Sequence, residues 1–173
     1  MQRPGMAGMG FVTIVILSGW LVQGGSPCDA SGVTLSKGAT VYVPAYSCIQ
    51  IGRRGQPFEL AISLTVRNTD PVRPITVLSV DYYDSRGKLV KQYGERPVQL
   101  APLASVDYFV RDSDLVGDVG AGATCFIVKW ESSSGVNEPL VETVMVGTKF
   151  GQGVSFSARG QVIKDERHYT PAR

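Results

Sequence analysis

The sequence predicts an all-β chain: an antiparallel, immunoglobulin-like β-sandwich of about seven or eight strands, preceded by a signal peptide or a short N-terminal anchor. Three observations point there. Residues 58–66 read FELAISLTV, in which Phe58, Leu60, Ile62, Leu64 and Val66 alternate with Glu59, Ala61, Ser63 and Thr65. A two-residue period puts one set on the buried face of an extended strand and the other on its wet face. Turn-forming Asn68, Thr69, Asp70, Pro71 and Pro74 end this run, and a second β-rich run follows from Ile75 to Tyr83. Finally, no segment longer than about ten residues carries a helical stripe. Strand-like runs recur every ~10–15 residues with turns between them, the rhythm of a sandwich rather than of βαβ units.

Length and charge bound the answer further. The 173 residues make one domain, divided as a leader over 1–30, a sandwich over 31–163 and a charged, disordered tail over 164–173. Without the leader about 145 residues remain, enough to bury roughly two-thirds of the unfolded surface without a covalent staple. Seventeen basic and 15 acidic residues leave a formal charge of +2. The basic residues are scattered, the densest cluster being Arg53-Arg54, which argues against nucleic acid as an obligate partner.

The amino terminus reads as an export signal. Arg3 is followed by a continuous apolar or small run, FVTIVILSGWLV, from Phe11 to Val22. As a helix this covers about 18 Å, short of a ~30 Å bilayer core. A charged start, a short apolar centre and a small-residue exit describe a secretory leader. Counted from Met6 the run lengthens, and an uncleaved anchor is the alternative. Cys28 just beyond it resembles the lipid-modified cysteine of bacterial lipoproteins, but Pro27 precedes it and no Leu stands three residues before it. Ordinary cleavage near Ala30 is the other outcome. An exported chain can keep disulfides, and a Cys48–Cys125 bridge would add about 4 kcal/mol by closing a long loop. Nothing in their spacing brings the pair together, so two buried free thiols are the competing outcome.

Along the domain, Thr40 to Val43 forms a first strand that Pro44 restricts to a sheet edge. Residues 51–57 (IGRRGQP) form a loop into the long strand at 58–66. In the next strand Leu78, Val80 and Tyr82 share one face, and Ser79, Asp81 and Tyr83 the other. Asp84 and Gly87 occupy the first and last places of a type I turn, predicting a hairpin back through Leu89 and Val90. Pro97 to Leu100 is a short strand. Val106, Tyr108 and Val110 then share one face, and Asp107, Phe109 and Arg111 the other. After the loop at 112–122, Phe126, Val128 and Trp130 point inward, and Leu140 to Gly147 follows. Residues 154–157 and 161–163 add a final short ribbon.

Taken together, TVYVPAYS, LTVRNTDPVRPITVLSVDYYDSRGKLV, LAPLAS, VNEPLVETVMVGT and GVSFSARGQVI resemble a bacterial family of exported proteins, a domain of unknown function (DUF 3124). The resemblance spans about residues 35–163. It implies an exported β-domain and assigns no activity, ligand or catalytic residue.

The residues offer little for catalysis. The one histidine, His168, lies in the tail. Ser155 and Ser157 lack a nucleophile elbow. The glycines at 117, 120 and 122, and those at 147, 151 and 153, open no helix and read as turns rather than phosphate cradles. Asp81 and Asp84 flank Tyr82-Tyr83, and Glu138 and Glu142 border the last long strand. Paired carboxylates beside aromatics suit glycan hydrolysis, although on a compact sandwich they more often cap turns. Asp112, Asp114 and Asp118 offer oxygens to calcium but lack the EF-hand glycine and distal glutamate. Tyr82, Tyr83, Tyr93 and Tyr108 serve either as an aromatic binding face or as cross-strand packing. The function these features predict is a non-catalytic binding module of the bacterial envelope, whether periplasmic, membrane-anchored or secreted. Its partner would be a protein or envelope component, with Asp81, Tyr83 and Asp84 as candidate contacts and no cofactor. Membrane attachment would come only from the N-terminal segment or a lipid on Cys28. The alternatives are an envelope-polymer hydrolase using Asp81, Asp84 or Glu138, and a calcium-stabilised adhesin-like module.

Overall fold

A computed structural model describes residues 35–111, 122–149 and 151–165. The leader with Cys28, the loop bearing Asp112, Asp114 and Asp118, and the tail with His168 lie outside the described residues. Every regular element described is a strand: β1 (Ser36–Tyr46), β2 (Cys48–Ile51), β3 (Gln56–Glu59), β4 (Ala61–Arg67), β5 (Ile75–Tyr83), β6 (Leu89–Gln92), β7 (Val98–Leu100), β8 (Ser105–Val110), β9 (Ala123–Val136), β10 (Leu140–Lys149), β11 (Gln152–Arg159) and β12 (Gln161–Asp165). They pair antiparallel in a six-stranded sheet (β12-β1-β9-β5-β6, with β7 also on β5), a four-stranded sheet (β11-β10-β4-β8) and the hairpin β2-β3. The described strands number twelve rather than seven or eight, because short ribbons (β2, β3, β6 and β7) flank the long strands.

The long strands change sheet at each step: β4 lies in the smaller sheet, β5 in the larger, β8 in the smaller, β9 in the larger and β10 in the smaller. Each sheet thereby turns one face to a shared core. Val41, Val80, Tyr82, Phe126, Val128 and Trp130 meet Ile62, Leu64, Val66, Val141 and Met145 there. The inward positions of β4, β8, β9 and β10 follow the two-residue period of the sequence, as strand geometry requires.

Four expectations need correction. Residues 58–66 are not one strand. Phe58 pairs with Ile49 in the β2-β3 hairpin, Leu60 N donates to Ser47 O (2.9 Å), and β4 pairs with β10 only from Ala61 onward. Burial nevertheless alternates unbroken through the interruption. On β5, Val77 faces Trp130 and Ser79 faces Lys129, so Leu78 is an extra residue in a β-bulge. The bulge resets the period by one: Ile75, Val77, Val80 and Tyr82 are buried and Leu78 is only half-buried.

Pro44 does not make β1 an edge, because β1 lies between β12 and β9. Pairing with β12 runs only from Ala39 to Tyr42. The Pro44 carbonyl turns away from β9 to accept the Thr143 hydroxyl (2.7 Å). The missing N–H therefore points where no strand needs it. Lastly, β11 and β12 form no ribbon; they join opposite sheets. Gly160 makes the crossing, its N–H donating to Val141 O (2.8 Å). A Cβ there would lie 2.6 Å from Val41 Cγ1, so only glycine lets the chain pass so close to the core.

Candidate functional site

Core-facing side chains on β1, β9 and β5 leave the alternate residues on an outer face of the larger sheet. Cross-strand register sets these out in rows. Tyr42 lies opposite Ile127, Ile127 opposite Asp81, and Asp81 opposite Gln92. The next row runs Pro44, Cys125, Tyr83 and Leu89. Tyr42 and Leu89 are exposed, while Tyr83, Cys125 and Ile127 are half-buried. Asp81 is mostly covered and accepts a hydrogen bond from Gln92 Nε2 (3.2 Å). The result is a band of tyrosine and aliphatic surface with one carboxylate set into it.

Tyr42 and Cys125 neighbour each other across β1 and β9. Burial, and then the neighbouring Cys125, raises the Tyr42 pKa above its ordinary value. Burial likewise pushes the Cys125 thiol up. A thiol whose pKa is raised is a weaker nucleophile near neutral pH. Of the two outcomes left open for Cys48 and Cys125, the structure has both thiols free. Cys125 faces Pro44 on β1, whereas Cys48 lies beyond the bend at Ser47, on the separate β2-β3 hairpin.

Further along the same sheet, Pro74, Thr76, Gln99, Glu131, Ser132 and Ser133 line a shallow polar groove of about 310 Å³. Thr76 lies between Glu131 and Gln99 in register, and the Ser132 hydroxyl donates to Pro74 O (3.0 Å). The row holding Thr40, Lys129 and Ser79 separates this groove from the tyrosine band.

Of the residues singled out from sequence, Asp81 and Tyr83 share this outer face, and Asp84 does not join them. Asp84 Oδ1 accepts from Lys88 N (2.8 Å) and Arg86 N (2.9 Å), and Oδ2 lies 3.2 Å from Arg86 Nη2. Those amides, Lys88 foremost, and the guanidinium hold its carboxyl below the usual range against the opposing effect of burial. Its oxygens are engaged in closing the hairpin. Glu138 lies at the other end of β5, where its carbonyl accepts the Thr69 hydroxyl (2.7 Å). Nine residues of strand, about 30 Å, separate it from Asp84, so the proposed hydrolytic carboxylates do not converge. Glu142 pairs with Arg67 (3.4 Å) on the other sheet. Among the described residues no group of three or more His, Cys, Asp or Glu side chains could hold a metal ion.

The tyrosines divide. Tyr82 packs on Phe126 with ring centroids 4.9 Å apart, and Tyr93 contacts both Phe126 and Tyr108 at 6.2 Å. These three build the core, and Tyr83 faces out. Sequence reasoning missed Tyr42 and Ile127 as parts of this face. Alternation of Tyr42 with Val41 and Val43 carried the signal, but a strand assigned to an edge gave no reason to look for neighbours on both sides.

No curated protein matches the chain. The crystal structure of Thermotoga maritima 1070 is similar with a TM-score of 0.43 at 13% identity, covering 73% of this chain and 96% of that one. The family model described as "Protein of unknown function (DUF3124)" matches residues 38–163, nearly all of the β-domain, and the chain belongs to that family.

Proposed function

We propose that this protein is an exported, immunoglobulin-like β-sandwich of the bacterial envelope that binds a protein or envelope component without catalysing a reaction on it. The outer face of the larger sheet is its working surface. One observation carries the reading: Tyr42, Ile127, Tyr83 and Leu89 form a continuous band where a purely solvated sheet face would carry charge. Tyrosine supplies rigid contact area at low entropic cost, and the polar groove further along the same sheet supplies hydrogen-bonding groups. The apolar leader supports export, and the separation of Asp84 from Glu138 favours binding over hydrolysis. Co-sedimentation with envelope preparations from the native host tests the proposal. Replacing Tyr42 and Tyr83 together by alanine should reduce retention by about tenfold or more, since buried tyrosine contacts cost on the order of 1–2 kcal/mol each. Retention unchanged in a folded double variant would remove this face from consideration.

A further inference from the structure

The other outer face, on the four-stranded sheet, differs in kind. Register places Ser157, Val144, Ser63 and Phe109 in one row, and Ser155, Val146 and Ala61 in the next. Phe109 is 56% exposed, Val146 46% and Val144 37%. Small, uncharged side chains thus make a flat floor with one aromatic ring standing at its β8 edge. Charge lies in the adjoining row, which reads Arg159, Glu142, Thr65, Asp107 from the β11 edge to the β8 edge, with Arg67 in the row beyond it and exposed Arg111 two residues after Phe109. Glu142 is matched by Arg67 (3.4 Å), and Asp107 accepts the Thr65 hydroxyl (2.5 Å). The row is therefore positive at the β11 edge and negative at the β8 edge.

We infer that this face is the interface of a reversible two-fold homodimer. A two-fold axis parallel to the strands lays β11 of one copy over β8 of the other. Arg159 then meets Asp107 twice, and each Phe109 ring lies over Ser157 of its partner copy, beside Val144 of that copy. Isologous contacts need this kind of self-complementarity, and a face carrying both halves of its own charge pattern fits a second copy of itself. Four strands ~4.8 Å apart and four rows ~7 Å apart, the fourth being Leu140, Arg67 and Ser105, give about 500 Å² per copy. The resulting total of about 1,000 Å² is at the lower bound for a specific interface, so association is concentration-dependent rather than permanent.

Sedimentation velocity of the full chain over a range of concentrations tests this, with circular dichroism and melting temperature as controls for folding. The expected result is a monomer–dimer equilibrium weakened by added salt. Val146→Lys should weaken it about tenfold or more, the effect of burying one uncompensated charge. Arg159→Asp and Asp107→Lys should each weaken it, and the double reversal should restore it. Recovery in the double variant identifies a second copy as the occupant. A monomer at every concentration up to about 1 mM, an association indifferent to Val146→Lys, or a double reversal that recovers nothing would each overturn the inference. If Asp107→Lys fails to fold, Val146→Lys and Arg159→Asp decide the question by themselves.

Discussion

Asp70 and Asp84 do the same chemistry at two turns, with different reach. Asp84 collects the amides of Arg86 and Lys88, four residues away at most, and closes a hairpin within one sheet. Asp70 collects the amides of Val72 and Arg73 (both 2.9 Å) and also that of Asn137 (3.2 Å), far along the chain. Beside it, Asn68 Nδ2 donates to Arg73 O (2.8 Å), Ala101 O (3.0 Å) and Leu100 O (3.3 Å), and Asn68 Oδ1 accepts from Asp70 N (3.0 Å). One turn shapes its own residues. The other fastens the place where the chain leaves β4, β7 and β9 on its way between sheets. The same Asx chemistry stabilises local geometry in one case and the tertiary arrangement in the other.

The largest expected effect lies at the fastening end. Asn68→Ala removes a donor from three carbonyls and the acceptor of the Asp70 amide at a largely buried site and should cost about 2–4 kcal/mol in urea or thermal unfolding. A loss no greater than that of a hairpin variant would break the comparison. Next comes acid sensitivity. Amides from Val72 and Arg73 hold the Asp70 carboxyl below its ordinary value of 3.8, and the Lys88 and Arg86 amides do the same for Asp84. A depressed folded-state pKa contributes stability that is fully present above the unfolded-state value and lost as pH falls towards the folded one. Stability should therefore decline below about pH 4, with Asp70→Asn flattening that decline more than Asp84→Asn. Equal flattening in the two variants would show the long-range amide of Asn137 to be inconsequential. The smallest effect belongs to the hairpin tip. Gly87 has φ of 76° with open space around it, so Gly87→Ala meets backbone strain alone and should cost about 1 kcal/mol. A substantially larger loss would mean that the hairpin, too, is tied to the rest of the fold.

The two outer faces sharpen the contrast between what is local and what is not. Both arise from the residues left over when the core has taken its share, yet one is banded with tyrosine and the other is flat and small-sided. A pair joined through the smaller sheets would leave two tyrosine faces pointing outward, a bivalent arrangement that gains avidity on any repetitive surface.

Much of this was legible in the chain. The turn from Asp84 to Gly87 could be read because its hydrogen bonds span four residues at most. The inward sets on β4, β8 and β9 could be read because Phe126, Val128 and Trp130, or Ile62, Leu64 and Val66, state their own alternation. Leu78 misled because a bulge is defined by two residues opposing one, and Lys129, the residue opposite, is remote in sequence. Pro44 misled for a related reason: its tolerance depends on where β12 stops. Asn68 was visible as a turn residue, but its carbonyl partners at Leu100 and Ala101 were not. The face holding Tyr42, Ile127, Asp81 and Tyr83 assembles only across three strands, so no window of sequence contains it.

By itself the sequence determined that the chain is built of strands, which side chains on most of them turn inward, and where the tightest turn falls. These are properties of extended backbone and of short-range hydrogen bonding, and they are written within a few neighbouring residues. Only the tertiary structure decided that β1 lies between β12 and β9, that β11 and β12 part to opposite sheets, and that two thiols stay free. Those outcomes depend on which segment arrives alongside which, a competition settled by burial of the shared core.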